Sequence, residues 1–363
     1  MEGNMKTRFL TALHVALLLS LCAWFMACSR GNGANPGKSK RVTIGFAMDS
    51  LVVERWLGDR DVFMNRVHEL GAEVLLQVAN EDSDVQARQI SWLASRKVDA
   101  LVVIANDSVR IGPAILEARA AGIPVIAYDR LAENAGVDLY VSFDNLKVGL
   151  LMASVLQDHL KSGRIMIING SKHDNNSHLY NQGIHKVLAD NLASGRYRLV
   201  REVWLENWSN EEATQAVEAA LNAPDVVRSG LYPEAILCAN DFLAEAAIKV
   251  LAEHRLAGQV LVIGHDAELS ACQRVVEGTQ IATIYKPIPR LATLGAEMAV
   301  RLARHQPLPP TSAMNDGSHD VPTLLLDVLA VTRANMMDTV IKDGFHRFED
   351  VYRHIPLERR PKS

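Results

Sequence analysis

From residue 41 onward the chain alternates between short runs of apolar, often β-branched residues and longer stretches with apolar positions every three or four residues. The short runs fall at 42–48, 73–78, 100–104, 124–127 and 139–143. They are mostly apolar, as expected of strands buried in a parallel sheet. The longer stretches at 54–70, 85–95 and 110–121 carry the helical period, and Gly71 and Gly122 stand where the first and third should end. The pattern then restarts. Strand-like runs recur at 164–169, 199–203, 235–238, 260–264 and 282–284, and helix-like stretches at 147–160, 179–189, 209–222, 241–253 and 288–303. Parallel strands joined by helices require right-handed crossovers. The expected architecture is α/β, with two doubly wound parallel-sheet lobes of about equal size. Their junction at 142–145 has no Pro/Gly-rich spacer, so a packed, hinged pair is expected.

Open α/β sheets bind ligands beyond the carboxyl ends of their strands. Those ends are rich in polar residues here. In the first unit they are followed by Asp49 with Glu54-Arg55-Trp56, and by Tyr128-Asp129-Arg130. In the second they are followed by Asp174-Asn175-Asn176, Trp208, Asn240-Asp241, His265-Asp266 and Tyr285-Lys286. Carboxylates and amides exchange hydrogen bonds with vicinal hydroxyls, Arg and Lys donate to ring and hydroxyl oxygens, and an indole covers the C–H face of a sugar ring. The set suits a monosaccharide. Asp241 is expected to serve as a helix N-cap, leaving Asn240 as the ligand-facing residue. Arg60 and Asp61 read as surface charges, and Trp204 as packing.

Composition narrows the alternatives. The 363 residues suffice for two or three domains, and 48% hydrophobic against 22% charged residues is ordinary for a globular chain. A net charge of −4 argues against nucleic acid as a partner. A phosphate-cradling GxxxxGK or GxGxxG motif does not occur. His173 and His178 flank the Asp-Asn-Asn loop without metal-ligand spacing, so neither metal nor cofactor is expected. Asp129, Asp174 and Asp266 could be read as a glycosidase acid and base. Each has a cation or amide beside it that would keep it ionised, so no enzymatic activity is expected. Of the four cysteines, Cys238 reads as a small buried hydrophobe, and a Cys238–Cys272 bridge is left open.

Lys6 and Arg8 precede a nearly uncharged run over 9–27, the layout of an export signal. It ends Phe25-Met26-Ala27-Cys28 ahead of a Gly/Ser/Asn-rich tract, which resembles the lipobox of bacterial lipoproteins. The resemblance implies cleavage of 1–27, diacylation of Cys28 and a lipid-anchored linker over 28–40. The plain alternative is a cleaved signal with a freely soluble product. An export signal in this place also excludes a leading DNA-binding helix pair.

From about residue 41 to 347 the chain resembles the periplasmic sugar-binding proteins of ABC transporters, and among them the D-xylose-binding family. The resemblance is carried by Ile44-Gly45, Glu54-Arg55-Trp56 with Asp59-Arg60-Asp61, Ala127-Tyr128-Asp129-Arg130, Ser142-Phe143-Asp144-Asn145, Asp174-Asn175-Asn176, Asn240-Asp241, Tyr285-Lys286-Pro287 and the segment 338–345. It implies a two-lobed clamp with a three-segment hinge. One lobe would comprise 41–144 and 287–318, the other 145–286 and 319–347, with 348–363 a C-terminal tail. It further implies that Arg55, Trp56, Asp129 and Arg130 meet Asp174, Asn176, Trp208, Asn240, Asp266 and Lys286 around a pentose, D-xylose or a close relative. The implied partners are the permease subunits of an importer, with a membrane sensor kinase or chemoreceptor as the alternative. His265 departs from the family, which tends to carry Gln before this aspartate.

Overall fold

The computed structural model describes residues 41–361. The segments expected to form the signal, the Cys28 lipidation site and the whole 28–40 linker lie outside the described residues.

The first lobe begins with β1 (Thr43–Met48), α1 (Arg55–Glu69), β2 (Glu73–Val78), α2 (Ser83–Ser95), β3 (Ala100–Val103), α3 (Gly112–Ala120), β4 (Val125–Tyr128) and β5 (Leu139–Phe143). The second repeats the scheme. It contains α4 (Asn145–His159), β6 (Gly163–Ser171), α5 (Asn175–Ala193), β7 (Tyr197–Leu205), α6 (Asn210–Leu221), α7 (Pro224–Ser229), β8 (Ala235–Cys238), α8 (Asp241–Glu253), β9 (Leu261–His265), α9 (Leu269–Glu277) and β10 (Ala282–Tyr285). The order β2-β1-β3-β4-β5 in one sheet is matched by β7-β6-β8-β9-β10 in the other, all parallel. Each sheet therefore has a switch point, between β1 and β3 and between β6 and β8. Strands β1, β3, β4, β5 and β8 are almost wholly buried, which accounts for their unbroken apolar composition. Side chains at the helix starts satisfy free amides there. Asp82, Asp144, Asp174, Ser209 and Asn240 each accept from backbone N–H groups of the first turn.

After β10 the chain returns to the first lobe. Helix α10 (Ile288–Ala303) packs against α1, and Arg66 donates to Glu297 at 2.6 Å between them. Strand β11 (Ser312–Asn315) pairs antiparallel with β12 (Asp320–Leu326), which lies parallel to β5. Strand β13 (Leu329–Thr332) then pairs antiparallel with β10 in the second sheet. The third crossing therefore falls at 327–328, later than the 318/319 boundary expected from sequence, because the ladder to β5 holds 320–326 in the first lobe. The other two crossings follow β5 and β10. Residues 348–363 were expected to be a tail. Within the described part, α11 (Phe348–Val351) and the following residue pack Val351 and Tyr352 into an apolar cluster with Ala267, Cys272 and Val276. Cys238 and Cys272 are both buried free thiols.

Helices α4 and α5 cross unusually closely. A Cβ on Gly149 would lie 2.0 Å from the Tyr180 carbonyl oxygen, and one on Gly183 would lie 2.3 Å from that of Leu146. Only glycine fits there, and the close approach fixes the helix that carries Asn176 and Tyr180.

Candidate ligand-binding site

The ten side chains singled out in the sequence line one small, nearly filled space between the lobes. Arg55 and Trp56 open α1, Asp129 and Arg130 follow β4, Asp174 and Asn176 open α5, and Trp208 follows β7. Asn240 caps α8, Asp266 follows β9 and Lys286 follows β10. Every one stands at the carboxyl end of its sheet.

The contacts across the cleft are ionic and buried. Arg55 donates to Asp129 at 2.8 Å within the first lobe and lies 3.6 Å from Asp266 of the second. Arg130 pairs with Asp49 and, across the cleft, with Asp174, both at 2.8 Å. Its guanidinium lies between two indoles, 5.3 Å from the Trp56 ring and 5.8 Å from that of Trp208. Asn176 donates to the Asp129 carbonyl at 3.1 Å, again lobe to lobe. Buried charges are stable only when paired and hydrogen-bonded, and here the pairing needs both lobes. Two of the aspartates adopt left-handed backbone, with φ of 63° at Asp129 and 100° at Asp266. Such strain gathers where surrounding structure enforces it. The Asp129 carbonyl is held by the hydroxyls of Tyr140 at 2.9 Å and Ser142 at 2.6 Å.

The charge states follow from these neighbours. Burial alone would raise the Asp266 carboxyl, but the Lys286 ammonium, with His265 and Arg55, holds it well below the usual carboxylate range. Burial lowers Lys286, offset in part by Asp266 and Asp129. Asp174 is raised by burial against the pull of Arg130, and Asp59 is pushed up to about 6 by burial.

Asn240 and Asp241 divide their work differently from the sequence expectation. Asn240 has extended backbone and its Oδ1 accepts from Leu243 N–H at 2.9 Å, so it is the cap while still lining the cavity. Asp241 is already helical. Its carboxylate, buried, accepts from Thr283 at 2.6 Å, Gln280 at 2.7 Å and the Glu268 amide at 3.2 Å, bracing the loop that carries Asp266.

Sequence reasoning missed three contributors. Tyr180 lines the cavity and its hydroxyl accepts from Lys286 at 2.9 Å; it lies one helical turn after Asn176, a spacing that could have revealed it. Asp59 lies one turn after Arg55, accepts from it at 3.3 Å and also accepts from the Tyr128 hydroxyl. Val53 adds an apolar wall. His265 also lines the pocket.

Two parallel-sheet lobes whose strand ends converge on a shared polar cavity define a two-lobed solute-binding protein. The chain belongs to the family described as periplasmic binding protein domain, whose model matches residues 44–307. It is 41% identical over 314 residues to the D-xylose-binding periplasmic protein of Haemophilus influenzae, covering 86% of this chain and 93% of that one. It is 39% identical to the protein of the same description from Escherichia coli, covering 91% and 97%. Among solved structures, a carbohydrate transporter solute-binding protein from Chloroflexus aurantiacus in complex with D-glucose superposes with a TM-score of 0.78 at 26% identity, covering 86% and 98%. These relatives are solute-binding receptors, and periplasmic binding proteins are exported to the periplasm.

Proposed function

We propose that this chain is the extracytoplasmic receptor of an ABC importer and that it binds D-xylose or a closely related pentose between its lobes. The observation that carries this reading is the convergence of Arg55, Asp129 and Arg130 from one lobe with Asp174, Asn240 and Asp266 from the other on a single small polar space. The relatives of highest identity named above are described as D-xylose-binding, which supports the pentose. Sugar enters the open cleft and contacts one lobe. Closure about the three crossings brings the second set of strand ends onto it. A ligand shifts that equilibrium only by its differential affinity for the closed form, and contacts from both lobes supply the difference. The closed outer surface is what the permease subunits recognise.

The protein binds without turnover in this reading. Asp266 is held ionised by Lys286, and Asp174 is occupied by Arg130, by Trp208 Nε1 at 3.1 Å and by the Asn176 amide at 2.9 Å, so neither is free to act as a general acid. Cys28, diacylated, tethers the mature chain through the linker; two acyl chains anchor stably.

The deciding experiment is a thermal-shift and calorimetric screen of the mature protein against pentoses and hexoses. A ligand that binds only the folded state raises stability by RT ln(1 + [L]/Kd). D-xylose should raise the midpoint and titrate with one site per chain; no response to any pentose refutes the assignment. Incubation with nitrophenyl pentosides should release no nitrophenol. Mass spectrometry of membrane-extracted protein should find acyl chains on Cys28, and the Cys28→Ala chain should appear in the soluble fraction.

A further inference from the structure

His265 ends β9 with its side chain buried in the cavity wall, and neither ring nitrogen has a hydrogen-bond partner among the described residues. Its Nδ1 lies 3.1 Å from Asp266 Oδ1 but out of hydrogen-bonding alignment, and that oxygen too lacks a hydrogen-bond partner among the described residues. The imidazole packs edge-on against Tyr180, ring centres 4.6 Å apart, and the Tyr180 hydroxyl is taken by Lys286. The two ring nitrogens of His265 thus sit beside one space with their hydrogen-bonding capacity unused, next to an Asp266 Oδ1 held in ion pairs by Lys286 at 3.4 Å and Arg55 at 3.6 Å.

This is not how histidines are accommodated elsewhere in the fold. The three other described histidines of intermediate burial each use a ring nitrogen. His173 meets Glu206 at 2.9 Å, His185 meets Glu202 at 3.0 Å and His346 meets the Ala267 carbonyl at 2.8 Å. A buried imidazole retained only for packing would find such a partner, because buried polar atoms almost always do. Burial, with Lys286 adding to it, pushes the His265 pKa down to about 4, so the ring near pH 7 is neutral, with one donor and one acceptor. A sugar hydroxyl is the complement, since it both donates and accepts.

We propose that His265 contacts the bound sugar directly, exchanging a hydrogen bond with one ligand hydroxyl, and that the pocket's choice among pentoses runs partly through this ring. The proposal rests on the sugar-binding reading above and adds a residue to it. The charged neighbours, Asp266 and Lys286 on the same sheet edge and Arg55 across the cleft, hold the surrounding field fixed, leaving the imidazole as the uncharged reader.

The test is calorimetry with D-xylose and its monodeoxy derivatives on the wild type, His265→Gln and His265→Leu. Leu removes both hydrogen-bonding atoms and should weaken D-xylose binding about tenfold or more. Gln keeps one donor and one acceptor and should recover most of that loss. One deoxy sugar should lose affinity for the wild type yet bind His265→Leu with no further loss. Unchanged D-xylose affinity in His265→Leu, or equal deoxy penalties in both proteins, overturns the proposal and leaves the receptor reading intact. If His265→Leu does not fold, nitrogen-15 spectra of the wild-type histidines decide. The His265 ring shifts must move on adding D-xylose, and static shifts overturn the proposal. A wild type that binds no pentose at all overturns both readings.

Discussion

Arg130 of the first lobe and Asp174 of the second meet at 2.8 Å with both side chains almost fully buried, while the far side of the same guanidinium holds Asp49 at 2.8 Å and the Ala105 carbonyl at 3.0 Å. The fork of one arginine therefore ties the first lobe's loops together and reaches across the cleft. The lobe junction and the binding wall are the same set of atoms.

Replacing Arg130 by Lys tests that double duty. A single ammonium keeps the charge but cannot span Asp49 and Asp174 in the geometry of the fork. One buried carboxylate is left under-compensated, at a cost of about 3 kcal/mol or more. Calorimetry with D-xylose should record an affinity loss of two orders of magnitude or more. Affinity within threefold of the wild type would remove Arg130 from the clamp.

Gly170, in β6, tests the placement of Trp208. A Cβ at Gly170 would come within 2.2 Å of the Trp208 ring and 2.6 Å of the Ser177 hydroxyl. The indole must shift, and with it the Trp208 hydrogen bond to Asp174. Gly170→Ala should therefore lower sugar affinity about tenfold or more while far-ultraviolet circular dichroism stays unchanged. Wild-type affinity would mean that the Trp208 position is immaterial to binding.

Glu268 gives the fold a pH dependence. Its side chain is buried beside a second interlobe cavity lined by Glu54, Leu57, Ile288 and Phe345, and its Oε1 has no hydrogen-bond partner among the described residues. Burial, with Asp241, Asp266 and Glu54 adding to it, pushes its pKa up to about 9. The folded chain thus holds a proton that the unfolded chain releases near its ordinary value of about 4.3. The stability tied to that proton is complete below this value and is lost as pH rises toward 9. Glu268→Gln removes the ionisation. Its melting temperature should match the wild type near pH 4 and exceed it by several degrees at pH 8, an effect of about 2 kcal/mol or more. A constant difference between the two proteins across this range would place the origin of the effect elsewhere.

Much of this arrangement was legible before any coordinates. The runs at 139–143 and 235–238 coincide with β5 and β8, because strands buried on both faces leave a mostly apolar signature, and the run at 73–78 coincides with the edge strand β2. The third crossing was not legible. β11 and β13 are antiparallel and partly exposed, so they lack the apolar run of a buried core strand. The roles of Asn240 and Asp241 could not be assigned either. Both can cap, and the choice depends on which of the two has extended backbone. The ten candidate residues were visible as chemistry at strand ends. What the sequence could not supply is that Arg130 reaches Asp174, since that contact depends on how the two lobes meet.

The last prediction concerns ligand size. Trp56, Trp208, Tyr180 and the Arg55 and Arg130 side chains line the cavity, and such bulky walls should leave little room for a hydroxymethyl group on C5 of a pyranose. Arg130 cannot retreat without breaking Asp49 or Asp174, and Trp56 is buried in the core cluster of its lobe. Forcing extra atoms into a packed wall costs about 1–3 kcal/mol. D-xylose should therefore bind about tenfold or more tightly than D-glucose, although the Chloroflexus relative is seen with D-glucose at 26% identity. Parallel titrations with the two sugars measure the ratio directly. Equal affinities would mean that Arg130 yields in the complex, and the first prediction would then fail with this one, since both depend on that guanidinium being held from two sides.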